Sequence, residues 1–522
     1  MKIRDLDFGK IDANNEFLDK GDDKYLESFY DYDKYHISEF KNGKRYYICG
    51  NKGTGKTALL KYLEAEFRKN TENLVYSIRF KSDIDEVDRQ DLRKGRGKVE
   101  ETIDEQEINI ENAKYADRYV GIWQVFLIRK MLQESTKGEY GIFVSSRELE
   151  KMKKLLDAIY GKDYLKLIPK LKRGKVDFNL KVLEKFEAEL ATELELNSDD
   201  NKVDFERIAK LIDSLYSSLT WYRSPVYVLI DELELSVITG KARRQDIALV
   251  RDLIIAVNRL NEISIKKEYR IHFIASIREE VINDIQVAGM EINKCVEDFG
   301  ISINWLYKGG SYTESPLLKM IERKIHASEK EMGVDPSEDV WGNYFPSIIN
   351  EEECRKYILG YTWQKPRDIV RLLGLAQQEA GVDDTVFTQE MFDRVLQKYS
   401  SNAWNEICEE LVLSYSREQL GHIKELFTGI ALPFRVSDLD KRLSELSEIH
   451  GDEVFAFLKD RRQLIDFLNV MYRWGVIGNT GKRMQFSFLG YDQLDLTGAM
   501  VIHKPLRNFF AVKARNAKER AL

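Results

Sequence analysis

Residues 50–57 read Gly-Asn-Lys-Gly-Thr-Gly-Lys-Thr, the spacing Gly50-x4-Gly55-Lys56-Thr57 of a phosphate-binding loop. A triphosphate needs several backbone N–H groups converging on it, and Gly-rich backbone curls tightly enough to supply them. Gly50, Asn51, Lys52, Gly53, Thr54, Gly55, Lys56, Thr57 and Ala58 are therefore the candidate nucleotide-binding residues. In that chemistry Lys56 reaches the β- and γ-phosphates and the Thr57 hydroxyl ligates Mg²⁺. Chance supplies this spacing in roughly 2% of chains of this length. Its context here is an apolar run before Gly50 and a helical pattern opening with Leu59, Leu60 and Leu63.

Hydrolysis needs two further groups, and the chain offers carboxylates where they belong. Val226-Tyr227-Val228-Leu229-Ile230 is apolar on both faces, as in a central parallel strand, and runs into Asp231-Glu232. Asp231 is the candidate partner of Mg²⁺ and Glu232 the candidate base for an attacking water. Ser276 and Arg278, at the end of the strand pattern Tyr269–Ser276, are candidates for contact with water or phosphate. Lys365-Pro366-Arg367-Asp368 opens a later helix, and Arg367 there could lean back onto the nucleotide, with Arg371 as second choice. The bland reading of Arg367 is a salt bridge with Asp368 or a neighbour; that of Arg278 is an ion pair with Glu279 or Glu280. Arg243, Arg244 and Arg323 are candidate trans-acting arginines. Asn201-Lys202-Val203-Asp204 matches a guanine-reading pattern but lies in a hydrophilic stretch, so ATP is favoured over GTP. No ABC signature and no helicase box occurs.

These residues need elements to hold them. Residues 45–80 read strand, loop, helix, strand, one parallel crossover unit. The chain of 522 residues is too long for one core. The expected organisation is a lead-in over 1–44 and a nucleotide-binding core over 45–310, with a mostly helical insertion at 81–205. A helical lid over 311–412 and a winged-helix domain with a basic tail over 413–522 follow. The last assignment rests on helical patterns at 417–428, 436–447 and 453–473, followed by two short strands around Asn479-Thr480-Gly481 that read as a hairpin. The fold class expected is α/β, a parallel sheet flanked by helices.

With 43% apolar and 32% charged residues, the composition is that of a soluble globular protein. A net charge of −7 argues against wholesale coating by nucleic acid. The four cysteines show no CxxC and read as free thiols, with Cys49 in strand core. No signal segment and no apolar stretch near 18 residues is visible, so a cytoplasmic location and no membrane contact are expected. Lys459, Arg461, Arg462, Lys482, Arg483, Lys513, Arg515, Lys518 and Arg520 form a modest basic footprint at the C-terminal end.

The order of phosphate loop, Asp-Glu strand, Ser276/Arg278 strand, arginine-bearing lid and winged helix resembles the AAA+/STAND-like ATPases of the Orc/Cdc6 type. It looks more narrowly like a prokaryotic P-loop ATPase family, through Phe8-Gly9-Lys10-Ile11-Asp12-Ala13, Thr362-x3-Pro366-Arg367-Asp368 and Trp474-Gly475-Val476-Ile477-Gly478-Asn479. The resemblance implies a P-loop NTPase sheet, ATP binding, Mg²⁺-dependent hydrolysis and oligomerisation or partner control. Such proteins often act as sensors, including in defence against phage. Its lid arginine maps to Arg367. The chain lacks a clear arginine-finger motif, which departs from the strict pattern. The expectation is an ATPase switch coupled to a partner or to DNA. The alternative is a nucleotide-gated scaffold with negligible turnover that controls an effector protein.

Overall fold

The computed structural model describes residues 1–83, 118–135, 141–160, 171–172, 175–177, 202–233, 241–287, 292–309 and 311–515. Residues 84–107 of the charged stretch, the helical pattern Leu183–Leu196, and Lys518 and Arg520 lie outside them. The described chain forms two compact units, one of residues 1–32, 53–55 and 304–522, the other of 33–52 and 56–303. α1 (Ala13–Ser28), capped by the Asp12 carboxylate, belongs to the first.

The second unit is built on a five-stranded sheet. Its strands are β1 (Tyr47–Gly50), β2 (Leu74–Arg79), β3 (Val226–Leu233), β4 (Ile271–Arg278) and β5 (Gly300–Ser302). They lie in the order β2-β3-β4-β1-β5, and every pair is parallel. Parallel pairing sends all five carboxyl ends to one edge, where open α/β sheets bind their ligands. α2 (Lys56–Arg68) follows β1 and buries Leu59, Leu60, Leu63 and Phe67, spaced three to four residues apart on one face. Each such side chain contributes roughly 1.5–3 kcal/mol by leaving water. α3 (Arg118–Ser135), α4 (Arg147–Tyr160), α5 (Phe205–Ser218) and α6 (Lys241–Lys266) belong to the same unit. Trp123 of α3 is buried and donates its indole N–H to the Leu249 carbonyl of α6 at 3.0 Å. Cys49 is a buried free thiol in β1, as expected of strand core.

The first unit is largely helical. α7 (Pro316–Glu331), α8 (Pro366–Gln378) and α9 (Gln389–Leu411) lie in the region expected as a lid. Pro366 starts α8, as its missing N–H and fixed φ favour. α10 (Arg417–Phe427), α11 (Val436–His450) and α12 (Arg461–Arg473) follow and bury Leu420, Leu439, Leu468 and Phe467 in one core. The expected hairpin differs in detail. β6 (Ile477–Asn479) meets residues 484–488 only through the Asn479–Gln485 bridge, and its strand partner is β7 (Met500–Ile502), antiparallel. Phe486 is buried and Ser487–Leu489 turns into a short 3₁₀ helix, which ends any second strand there.

Candidate functional site

Gly50 closes β1 and α2 begins at Lys56, so the Gly-rich loop is the strand-to-helix turn at the carboxyl edge of the sheet. Gly53 and Gly55 have φ of 83° and 96°, a left-handed backbone that a side chain would strain. The Lys56 ammonium is folded over the loop and donates to the carbonyls of Gly50 at 2.8 Å and Asn51 at 3.0 Å. Thr57 and Ala58 sit half-buried in the first turn of α2, where free backbone N–H groups favour anions.

Two strands away stands the carboxylate pair. Asp231 is buried near the end of β3 and accepts a hydrogen bond from the Ser276 hydroxyl of β4. Ser276 is itself buried, and its hydroxyl is turned to Asp231, so it positions that carboxylate. Glu232 has φ of 60°, and the β3–β4 register slips between Ile230 and Leu233. A non-Gly residue in that region costs about 1–2 kcal/mol, and such outliers cluster at functional sites. The slip lets Glu232 depart from strand geometry, and its Oε2 accepts from the Ser82 hydroxyl at 2.8 Å. Ser82 lies in the single turn Phe80–Asp83 just after β2. Arg278 is half-buried and stands in register with Gly50. The sheet thus gathers Gly50, Asp231, Glu232, Ser276, Arg278 and Lys56 at one edge.

In the other unit, the loop crest packs against the start of α8. A Cβ at Gly53 would lie 3.4 Å from Arg367 Cβ and 3.6 Å from Lys365 Cδ. Thr54 is buried and its carbonyl accepts the Trp305 indole N–H at 2.8 Å. Tyr32 stacks on Trp305 with centroids 5.9 Å apart. Arg367 pairs with Glu406 of α9, through Nη1 to Oε1 at 2.7 Å, and not with Asp368. Arg371 takes the other oxygen of Glu406. Burial pushes the Glu406 carboxyl up, but Arg367 and Arg371 outweigh it and bring it down to about 2. Asp368 is buried, accepts from the Trp363 backbone N–H at 2.9 Å, and is raised by burial. Ser82, Trp305 and Glu406 were not singled out by the sequence. Ser82 could have been sought as a hydroxyl beside β2; Glu406, 39 residues from Arg367, carries no local signal.

Of the basic residues near the C-terminal end, Lys459, Arg461 and Arg515 are taken by Asp452, Asp440 and Asp438. Lys482 and Arg483 are exposed beside the Asn479–Gln485 bridge, with no ion-pair partner among the described residues. Arg243 and Arg244 begin α6, and their side chains lie outside what is described. No described helix is long and apolar enough to cross a membrane.

Residues 315–408 match a family model described as the FunZ-associated C-terminal helical domain. The match spans α7 to most of α9 and includes Arg367, Arg371 and Glu406. A comparison with curated proteins finds no match.

Proposed function

We propose that this chain is a Mg²⁺-dependent P-loop ATPase of AAA+/STAND-like type, a switch whose nucleotide state is relayed through the lid to a C-terminal winged helix. The observation that carries this reading is the left-handed, Ser82-held Glu232 beside a Ser276-held Asp231, on the same sheet edge as the Gly53/Gly55 turn and Lys56. These residues suit Mg²⁺-ATP. The loop amides and Lys56 would hold the phosphates, and Thr57 and Asp231 the metal. Among the described residues no group of three or more His, Cys, Asp or Glu could hold a metal alone, so phosphate oxygens would complete its shell. When bound, Mg²⁺ neutralises charge on the phosphates. Glu232 would then orient and deprotonate water, and the Ser276 hydroxyl would hold Asp231 in place. DNA contact would rest on Lys482, Arg483 and Arg462, since Lys459, Arg461 and Arg515 are paired.

The test is steady-state ATP hydrolysis with Mg²⁺, with and without double-stranded DNA, for the wild type and Glu232→Gln. The variant should retain ATP and lose about 10²–10⁴-fold in turnover, the usual worth of a general base. Unchanged hydrolysis would remove Glu232 from the reaction. A second reading is favoured by one observation: Glu232 and Arg367 are both engaged, by Ser82 and Glu406. A nucleotide-gated scaffold that rests until an effector protein arrives would hold them so. Tight ATP retention with negligible turnover supports that reading.

A further inference from the structure

β2 ends at Arg79, which stands in register with Asp231, and the chain then makes the single turn Phe80–Asp83. The Asp83 carboxylate closes that turn by accepting the Arg79 backbone N–H at 2.8 Å. A lone helical turn has little stability of its own, so its place is set by what it packs on. Phe80 is buried, and its ring lies against that of Trp123 in α3, with centroids 5.5 Å apart. Trp123 is itself fixed. It meets Phe126 edge-on at 5.9 Å, and its indole N–H ties it to the Leu249 carbonyl of α6. Two residues after Phe80, the exposed Ser82 hydroxyl reaches Glu232 Oε2. No described residue bonds to the other oxygen, Oε1, so a carboxylate held by one oxygen keeps its second for water. Glu232 needs such a hold, because a φ of 60° persists only where the surroundings impose it. All these residues belong to one compact unit.

We propose that Trp123 is a positioning residue for Glu232: its ring fixes Phe80, Phe80 fixes the turn, and the Ser82 hydroxyl aims Glu232 at the attacking water. The proposal rests on the hydrolytic reading of Glu232 and names what sets its geometry. Trp123 touches neither nucleotide nor water. A shift of its ring displaces Ser82 and misaims the carboxylate, and a misplacement of about 1 Å at a reacting group costs up to about 10²-fold in rate. Other residues bind ATP, so the loss falls on kcat and leaves KM near its wild-type value. Whatever moves α3 thereby moves the base.

The experiment is steady-state Mg²⁺-ATP hydrolysis by the full chain, with kcat and KM measured for wild type, Ser82→Ala, Ser82→Thr, Trp123→Phe and the Ser82→Ala/Trp123→Phe double variant. Ser82→Ala should lower kcat about 10–100-fold, the worth of a hydrogen bond to a charged group. Ser82→Thr keeps the hydroxyl and should restore most of that loss. Trp123→Phe should lower kcat about three- to tenfold, and the double variant should be no slower than Ser82→Ala alone, because residues acting through one contact are not additive. Phe80→Leu gives the same comparison if Trp123→Phe does not fold. Losses that multiply overturn the route from Trp123 and leave it as core packing. Ser82→Ala as fast as wild type overturns the positioning role, and a faster one shows that the hydroxyl restrains Glu232 instead. A wild type without turnover, or Glu232→Gln at the wild-type rate, overturns the hydrolytic reading itself.

Discussion

Asp231 is a buried carboxylate that accepts a hydrogen bond from the Ser276 hydroxyl. Ser276→Ala would leave a buried acceptor oxygen without its donor, which costs about 1–3 kcal/mol. Urea unfolding should register that loss, and half-maximal activation should require more Mg²⁺. A variant as stable as wild type would mean that another donor reaches Asp231. The residue types at this site were legible because their chemistry is tied to strand ends: Asp231-Glu232 after an apolar run, Lys56 after Gly55. What was not legible is which hydroxyl holds which acid. Ser276 was expected to face phosphate or water, yet its register beside Ile48 and one residue past Ala275 turns it to Asp231. Ser82 escaped notice because a short turn after β2, not a motif, carries it to Glu232.

At the level of elements, the N-terminal segment belongs with the helices that follow residue 315. Lys324 of α7 is buried and donates to Glu16 of α1 at 2.6 Å, while Lys20 bridges Asp7 at 2.9 Å and Glu16 at 3.2 Å. Gly9 has φ of 87°, and a Cβ there would lie 2.7 Å from the Lys324 ammonium. That is the physical need behind the glycine of the Phe8-Gly9-Lys10 segment. Removing one partner of a buried ion pair costs about 3–5 kcal/mol, whereas replacing both by apolar groups is often near neutral. Lys324→Met alone should therefore lower the melting temperature strongly, and Glu16→Leu with Lys324→Met should recover much of the loss, leaving Lys20 to Asp7. Differential scanning calorimetry of the three proteins checks this, and additive losses would count against a mutual pair. The sequence disclosed α2, α8 and four of the five sheet strands through period and proline placement. It missed the pairing of β6 because the partner strand lies more than 20 residues away, beyond any hairpin signal. The ionic network of α1 and α7 was hidden for the same reason, since the pair is separated by 308 residues.

Acid should act on each compact unit through a different histidine, buried in one and half-buried in the other. His503 is packed among Trp363, Phe486 and Phe488 with centroids 4.8–4.9 Å away, and its Nε2 lies 3.0 Å from the Thr362 carbonyl. Burial, with Arg507 and Lys504 nearby, pushes it down to about 3, despite that carbonyl. His272 in β4 of the other unit is pushed down to about 4 by burial and Arg270. Both are neutral when folded, while the unfolded chain binds protons near pH 6.5. The stability they contribute is therefore complete above pH 6.5 and declines as pH falls, through about 4 for His272 and about 3 for His503. For His503 the loss at pH 5 is about 2 kcal/mol, since each pH unit below 6.5 costs about 1.36 kcal/mol. Glu406 adds a lower window: its stabilisation is present above pH 4.5 and fades toward pH 2. Melting temperatures between pH 8 and pH 4.5 should thus fall in wild type, and His503→Phe should flatten the fall for the transition of its own unit. The other transition should keep its slope until His272 is replaced as well. Two melting transitions that respond separately to the two substitutions would show that the units unfold independently. One transition responding to both would show that they unfold together.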